Sequence, residues 1–249
     1  MLKKSISSLL LCSAISIAHA GEFSGEGGLG FTLTDGNSES QNLNATLSAK
    51  YSSGAFVHNL SVLANQAEST DPATGEETET ADSIKLGYQL NYSLTEKDYL
   101  WAGYIHDSNP YAGYDPQQSI SAGYGRIWIK NDITLFSTEI GFGSKETDAV
   151  EFNTATSSFH DIGSNDEGIT HLAATYEHKI TSNTQFIQKL LFQLGEDNDY
   201  TESLSALKVS MSEKFSLQLS YLLKKNSDIV GSNGDDTDST TAFTVVYGF

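Results

Sequence analysis

Cysteine is nearly absent. The one that exists, Cys12, sits in an N-terminal apolar run behind a bulky leucine, a poor context for lipid attachment. Loss of that run would leave no thiol, which excludes disulfides, thiol catalysis and thiolate metal sites. Positive charge is scarce as well: 14 lysines and arginines face 32 acids, the formal net charge is −18, and Arg126 is the single arginine. Such an excess of acid repels phosphate backbones, so it argues against nucleic acid as a partner and toward cations or solvated loops. Proline is limited to Pro72, Pro110 and Pro116, which leaves long stretches free to pair as strands. Finally, no stretch after residue 20 is apolar enough for a transmembrane helix, and mean hydropathy is −0.29. That lack does not exclude a membrane β-barrel, whose strands alternate apolar and polar residues.

What is present begins with a secretory signal. Lys3 and Lys4 precede an apolar run from Leu9 to Ile17, and Ala18-His19-Ala20 forms a small-x-small cleavage site. The run is too short to span a bilayer. Residues 1–20 read as a removed signal peptide and 21–249 as one barrel domain. Removal of Lys3 and Lys4 takes the net charge from −18 to −20.

After Gly21 the chain resolves into segments of about ten residues, the length of a tilted membrane strand. Ile84, Leu86, Tyr88, Leu90, Tyr92 and Leu94 alternate with Lys85, Gly87, Gln89, Asn91 and Ser93, and the pattern recurs about twelve times. Turns of about three residues, such as Thr95-Glu96-Lys97 and Thr181-Ser182-Asn183, alternate with longer loops. The expected long loops are Asn65–Thr80, Asp107–Gln117, Ser144–Glu167, Gly195–Tyr200 and Asn226–Thr237, and they take all three prolines and most of the acids. Short turns on one side and long loops on the other are the outer-membrane pattern, with both termini periplasmic and the acidic loops extracellular. A secreted sandwich would account for the alternation but not for that asymmetry. The fold expected is an all-β transmembrane antiparallel barrel of about twelve strands. Tyr99, Trp101, Trp128, Tyr247 and Phe249 are expected as an aromatic girdle at the membrane interface. The last strand, Thr241–Phe249, places Phe243, Val245, Tyr247 and Phe249 on one face. Such an ending closes a barrel and is the signal read by barrel-assembly machinery, with outer-membrane lipid and lipopolysaccharide as surroundings.

The stretch Gly36-Asn37-Ser38-Glu39-Ser40-Gln41-Asn42-Leu43-Asn44-Ala45, the strand Ala122-Gly123-Tyr124-Gly125, Tyr176-Glu177-His178-Lys179 with its Thr-Ser-Asn turn, and the Tyr-x-Phe ending resemble the salt-stress-induced outer-membrane proteins. That family is defined as a domain of unknown function. The resemblance covers essentially the whole chain after residue 20. It implies an outer-membrane barrel with an envelope role in osmotic or salt stress, and it carries over no catalytic residue.

The inward face is expected to hold Glu26, Lys50, Lys85, Glu139, Glu177, Lys179, Lys189 and Lys208. These charges suit either a narrow ion or small-solute pore or a plug whose opposite charges pair. His106 and Ser108 share a strand face, and the His-x-Ser-Asn string is similar to that of outer-membrane phospholipases, so a lipid hydrolase is an alternative. His160-Asp161 offers a weaker acid–base pair. A third reading is a structural barrel whose acidic runs bind a partner or a weak divalent cation, through Glu196, Asp197 and Asp199 or through Asp235, Asp236 and Asp238. None of these runs has the spacing of a dedicated metal loop, so no cofactor is expected beyond that.

Overall fold

The computed structural model describes residues 21–34, 39–70, 77–228 and 237–249. The expected signal segment, Gly36-Asn37-Ser38 of the family resemblance, Pro72, Asp235 and Asp236 lie outside the described residues.

Alternation of side chains becomes twelve strands: β1 (Glu22–Thr34), β2 (Glu39–Ser53), β3 (Phe56–Thr70), β4 (Glu77–Ser93), β5 (Asp98–Asn109), β6 (Tyr114–Lys130), β7 (Thr134–Asn153), β8 (Ser158–Lys179), β9 (Thr184–Leu194), β10 (Tyr200–Ser210), β11 (Phe215–Asn226) and β12 (Thr237–Gly248). Each pairs antiparallel with its neighbours, and β12 returns to β1, giving a closed barrel. At the seam Glu26 lies opposite Gly248 and Gly30 opposite Thr244. Gly25 and Phe249 then exchange both backbone hydrogen bonds, at 3.0 and 2.9 Å. Closure removes every unpaired edge, which a sheet in hydrocarbon requires.

The period of two sorts the residues. Leu29 and Phe31 are 64% and 58% exposed on the outside of β1, whereas Gly28 and Gly30 between them are buried within. Phe142, Ile120 and Phe243 are likewise exposed outside. A shell of large apolar side chains around a polar interior is the inverse of a water-soluble core and matches an outer-membrane barrel.

Four of the five short turns share one device. Asn131 accepts from the backbone N–H of Thr134 at 2.7 Å, and Thr95, Thr181 and Ser212 do the same for Asp98, Thr184 and Phe215 at 2.9, 3.0 and 3.1 Å. These side chains satisfy the donors that a tight reversal leaves open.

The opposite rim differs from the sequence-based expectation. Residues 144–167 are not a loop: β7 and β8 continue as a hairpin, Asn153 opposite Ser158, turning at residues 154–157. Similarly β3 runs on to Thr70 and β4 starts at Glu77, so most of the expected 65–80 loop is strand. In the 107–117 segment, β5 reaches Asn109, a short 3-10 helix (Pro110–Ala112) makes the turn, and β6 begins at Tyr114. Pro116 therefore lies within β6, where the register with β7 breaks between Tyr114 and Gln117, rather than in a connection. The reason is shared. Away from lipid the outward positions need not be apolar, so ladders persist without the apolar alternation that marks a membrane strand.

Candidate functional site: a bridged lumen

In a ring of twelve strands, members six apart face each other across the lumen. Two ion pairs join such opposites. Lys85 on β4 pairs with Glu202 on β10, and Tyr200 stands beside them, receiving a bond from Lys85 Nζ at 3.2 Å and donating to Glu202 at 2.6 Å. Lys224 on β11 pairs with Asp107 on β5, reaching its two carboxylate oxygens at 2.7 and 3.1 Å. Both partners of the second pair are buried. Opposite walls of the barrel are thus tied together, and the charges are taken up by each other.

Nearer the loop end a second layer continues the closure. Lys145 and Glu167 meet at 2.9 Å with side chains 0% and 3% exposed. Glu167 also accepts the backbone N–H groups of Asp197 and Asn198 at 2.9 and 3.3 Å, and Lys145 donates to the Asn198 carbonyl. This pair therefore pulls the β9–β10 connection, residues 195–199, down into the barrel mouth. Asn198 donates to Asn226 at 2.9 Å, and Gln117 donates to Asn226 at 3.2 Å and Thr147 at 3.1 Å. Buried charge survives only with such complete partnering.

Below the bridge the lumen opens into a cavity of 910 Å³. Trp101, Ser121 and His171 line it together with Ser24, Lys50, Asn91 and Phe249. A smaller hollow of 290 Å³ lies at the loop end, lined in part by Thr147, Asn165, Asp197 and Asp228. The bridged layer lies between them.

Of the expected lumen charges, Glu26, Lys50, Lys85, Glu139, Glu177 and Lys189 line the large cavity. Lys208 pairs with Glu26. Lys179 is exposed at the end of β8. Glu139 accepts from Tyr99 at 2.8 Å and from Gln89 at 2.9 Å, and Glu177 accepts from Gln185 at 2.9 Å.

The girdle expectation needs correction. Tyr99 and Trp101 carry the odd numbers that point inward on β5. Tyr99 reaches Glu139, and Trp101 is 3% exposed with its ring 4.5 Å from that of His171. Gly141 makes room for the indole: a Cβ there would approach Trp101 Cζ2 to 2.7 Å. Trp128, Tyr247 and Phe249 are 54%, 39% and 50% exposed. Arg126 lies 5.2 Å over the Trp128 ring and bonds Asp98 at 2.7 Å.

The model of a known family matches residues 27–249 and is described as "Protein of unknown function, DUF481". The chain belongs to the DUF481 family. A curated relative, the uncharacterized protein YdiY of Escherichia coli K12, is 25% identical over 225 residues, 90% of this chain and 82% of that protein. Among solved structures, the translocator domain of the autotransporter NalP from Neisseria meningitidis aligns at TM-score 0.44 and 10% identity, covering 91% of this chain and 87% of that one. The β domain of the Bordetella autotransporter BrkA aligns at TM-score 0.40 and 11% identity, covering 93% and 99%.

In this DUF481 barrel the hydrolase candidates are not assembled as a nucleophile–base pair. His106 and Ser108 lie on the outer face of β5, and the Ser108 hydroxyl donates to Asp115 Oδ1 at 2.6 Å. In the other weak pair, Asp161 receives the Gly163 N–H at 2.7 Å. Nor do the acidic runs converge. Asp197 receives Asn165 at 3.2 Å, Asp199 caps the Gly195 N–H at 3.1 Å, Glu196 is exposed, and Asp238 receives Asn109 at 3.3 Å. Among the described residues, no three His, Cys, Asp or Glu side chains could hold one metal ion. Sequence reading missed Asp107, Lys145, Glu167, Glu202 and Lys224. The signal lay in parity. Glu202 and Lys224 share the inward parity of Ala206 and Ser216, and the alternation carried two more residues reaches them.

Proposed function

We propose that this protein is a non-enzymatic barrel of the outer membrane whose lumen is closed by paired charge and forms a vestibule open only toward the periplasm. The observation that carries this reading is the pair of bridges, Lys85–Glu202 and Lys224–Asp107, between diametrically opposed strands. Small polar solutes enter as far as the bridge and stop there. In this reading residues 1–20 are a removed signal and both termini face the periplasm. The projecting acidic β3–β4 and β7–β8 hairpins face outside. Outer-membrane lipid and lipopolysaccharide surround the apolar belt, and barrel-assembly machinery engages β12. The setting is the envelope under osmotic or salt stress, as the family resemblance implies.

Planar-bilayer conductance of the refolded barrel tests the closure. The wild type stays silent, while replacement of Lys85, Glu202, Lys224 and Asp107 together by alanine yields stepwise currents. A wild type that passes steady current ends the closed-lumen reading. A strain lacking the gene, plated after a sodium chloride upshift, tests the stress setting; growth equal to that of its parent counts against it.

A further inference from the structure

The vestibule contains something that closure alone does not require. Three side chains from three strands, Trp101 on β5, Ser121 on β6 and His171 on β8, each at least nine-tenths buried, line the cavity. Trp101 Nε1, Ser121 Oγ and His171 Nδ1 have no hydrogen-bond partner. Buried polar atoms without partners are uncommon and costly, and three together at one cavity wall indicate partners that arrive from elsewhere. The indole N–H can only donate, the hydroxyl can do both, and the imidazole nitrogen takes either role by tautomer.

Charge narrows the class. The carboxylates of Glu26 and Glu202 are already paired with Lys208 and Lys85. That leaves two ammonium groups, Lys50 and Lys189, against two carboxylates, Glu139 and Glu177. The balance favours neither anion nor cation. Carboxylates and ammonium groups around one cavity ask for donors and acceptors on the same small molecule, which is what hydroxyl groups supply. A volume of 910 Å³ lies within the range of small-molecule sites.

We infer that the vestibule binds a small, neutral, polyhydroxylated solute, held by Trp101, Ser121 and His171. The three polar atoms are covered in the unliganded barrel, so the Trp101–His171 ring pair turns as the solute seats. Occupancy therefore changes the surroundings of Trp101. The inference goes beyond closure of the lumen, because binding at equilibrium is read without any current.

The test uses the refolded full-length barrel in detergent, carrying Trp128→Phe so that Trp101 is the only indole. Glycerol, myo-inositol, D-glucose and sucrose are the neutral probes, with sodium glutamate and choline chloride as charged ones. At least one neutral probe is expected to shift Trp101 emission saturably, with half-saturation on the order of 1 mM. Calorimetry on the otherwise unaltered protein gives the same constant. Ser121→Ala and Trp101→Phe, which remove one polar atom each, weaken it by about tenfold, with the β-sheet circular dichroism unchanged. Three results would overturn the inference: no saturable response to any neutral probe from a folded barrel, tighter binding of glutamate or choline, or undiminished affinity in both variants. The first two would leave a silent bilayer trace, and with it the closed-lumen reading, untouched.

Discussion

At the scale of single residues, the interior is held by charges that have no water to turn to. Lys224 and Asp107 illustrate the consequence. A lone carboxylate in that position has lost its counter-ion and cannot recover solvent, so Lys224→Met costs about 3–5 kcal/mol. Adding Asp107→Leu removes the orphan and returns most of that loss, because a matched apolar pair needs no solvation. Urea unfolding in lipid vesicles, followed by tryptophan emission, measures both, and equal midpoints for the single and double variants would contradict this account. Ser108 belongs to the same scale. Its hydroxyl is engaged with Asp115 on the outer face, so the purified protein releases no fatty acid from phospholipid above background, and Ser108→Ala changes nothing. Fatty-acid release abolished by that substitution would restore the hydrolase.

At the scale of elements, the β6–β7 pair shows how a sheet makes room for a lumen ring. Gly123 lies opposite Gly141, and a Cβ at Gly123 would collide with the Ile140 carbonyl oxygen and the Gly141 Cα. Those atoms are backbone and cannot step aside without breaking the ladder. Gly123→Val is therefore expected to cost well over about 3 kcal/mol and to block refolding. Gly27→Ala on β1 meets nothing within 4 Å and is expected to be neutral. Heat-modifiable migration on gels separates the folded from the unfolded forms of both. The β7–β8 hairpin is the other instructive element. It is strand far beyond the apolar belt because Phe152, Phe159 and Tyr111 form an edge-on aromatic cluster, with centroids 5.1 and 5.0 Å apart, that pins it to the 3-10 turn. Nothing in the polar run 144–167 announces that contact.

At the scale of the whole molecule, closure and bridging act together. A ring of twelve strands is wide enough to hold water, and here opposed strands are drawn together by lysine and carboxylate arms long enough to meet at the centre. The proposed orientation makes its own prediction. Protease added to intact cells is expected to cut only at the hairpin ends, for example near residues 154–157, and to leave the turns at 131–133 and 181–183 whole until the envelope is opened. Cleavage at those turns in intact cells would reverse the orientation.

What the chain alone determined is what depends on neighbours in sequence. Period-two alternation specified the membrane strands and, except on β5 where both faces carry apolar residues, their outer faces. Asn131, Thr95, Thr181 and Ser212 specified the tight turns, since a side chain two or three residues away satisfies the reversal. The count of twelve followed from both. The inward parity of Lys85 and Glu139 was legible in the same way. What only the tertiary structure decided is what depends on residues far apart in the chain. Lys85 and Glu202 are 117 positions apart, as are Lys224 and Asp107. Their meeting is a property of ring geometry, in which strands six apart become neighbours across a narrow lumen. The same holds for Trp101, expected at a lipid interface yet turned onto His171, because β5 carries its odd positions inward and Gly141, which admits the ring, comes from another strand. The strand extensions at the loop end were hidden for a different reason: away from lipid, a ladder is held by its backbone pairing and by contacts such as that of Phe159 with Tyr111, and it leaves little trace in apolar alternation.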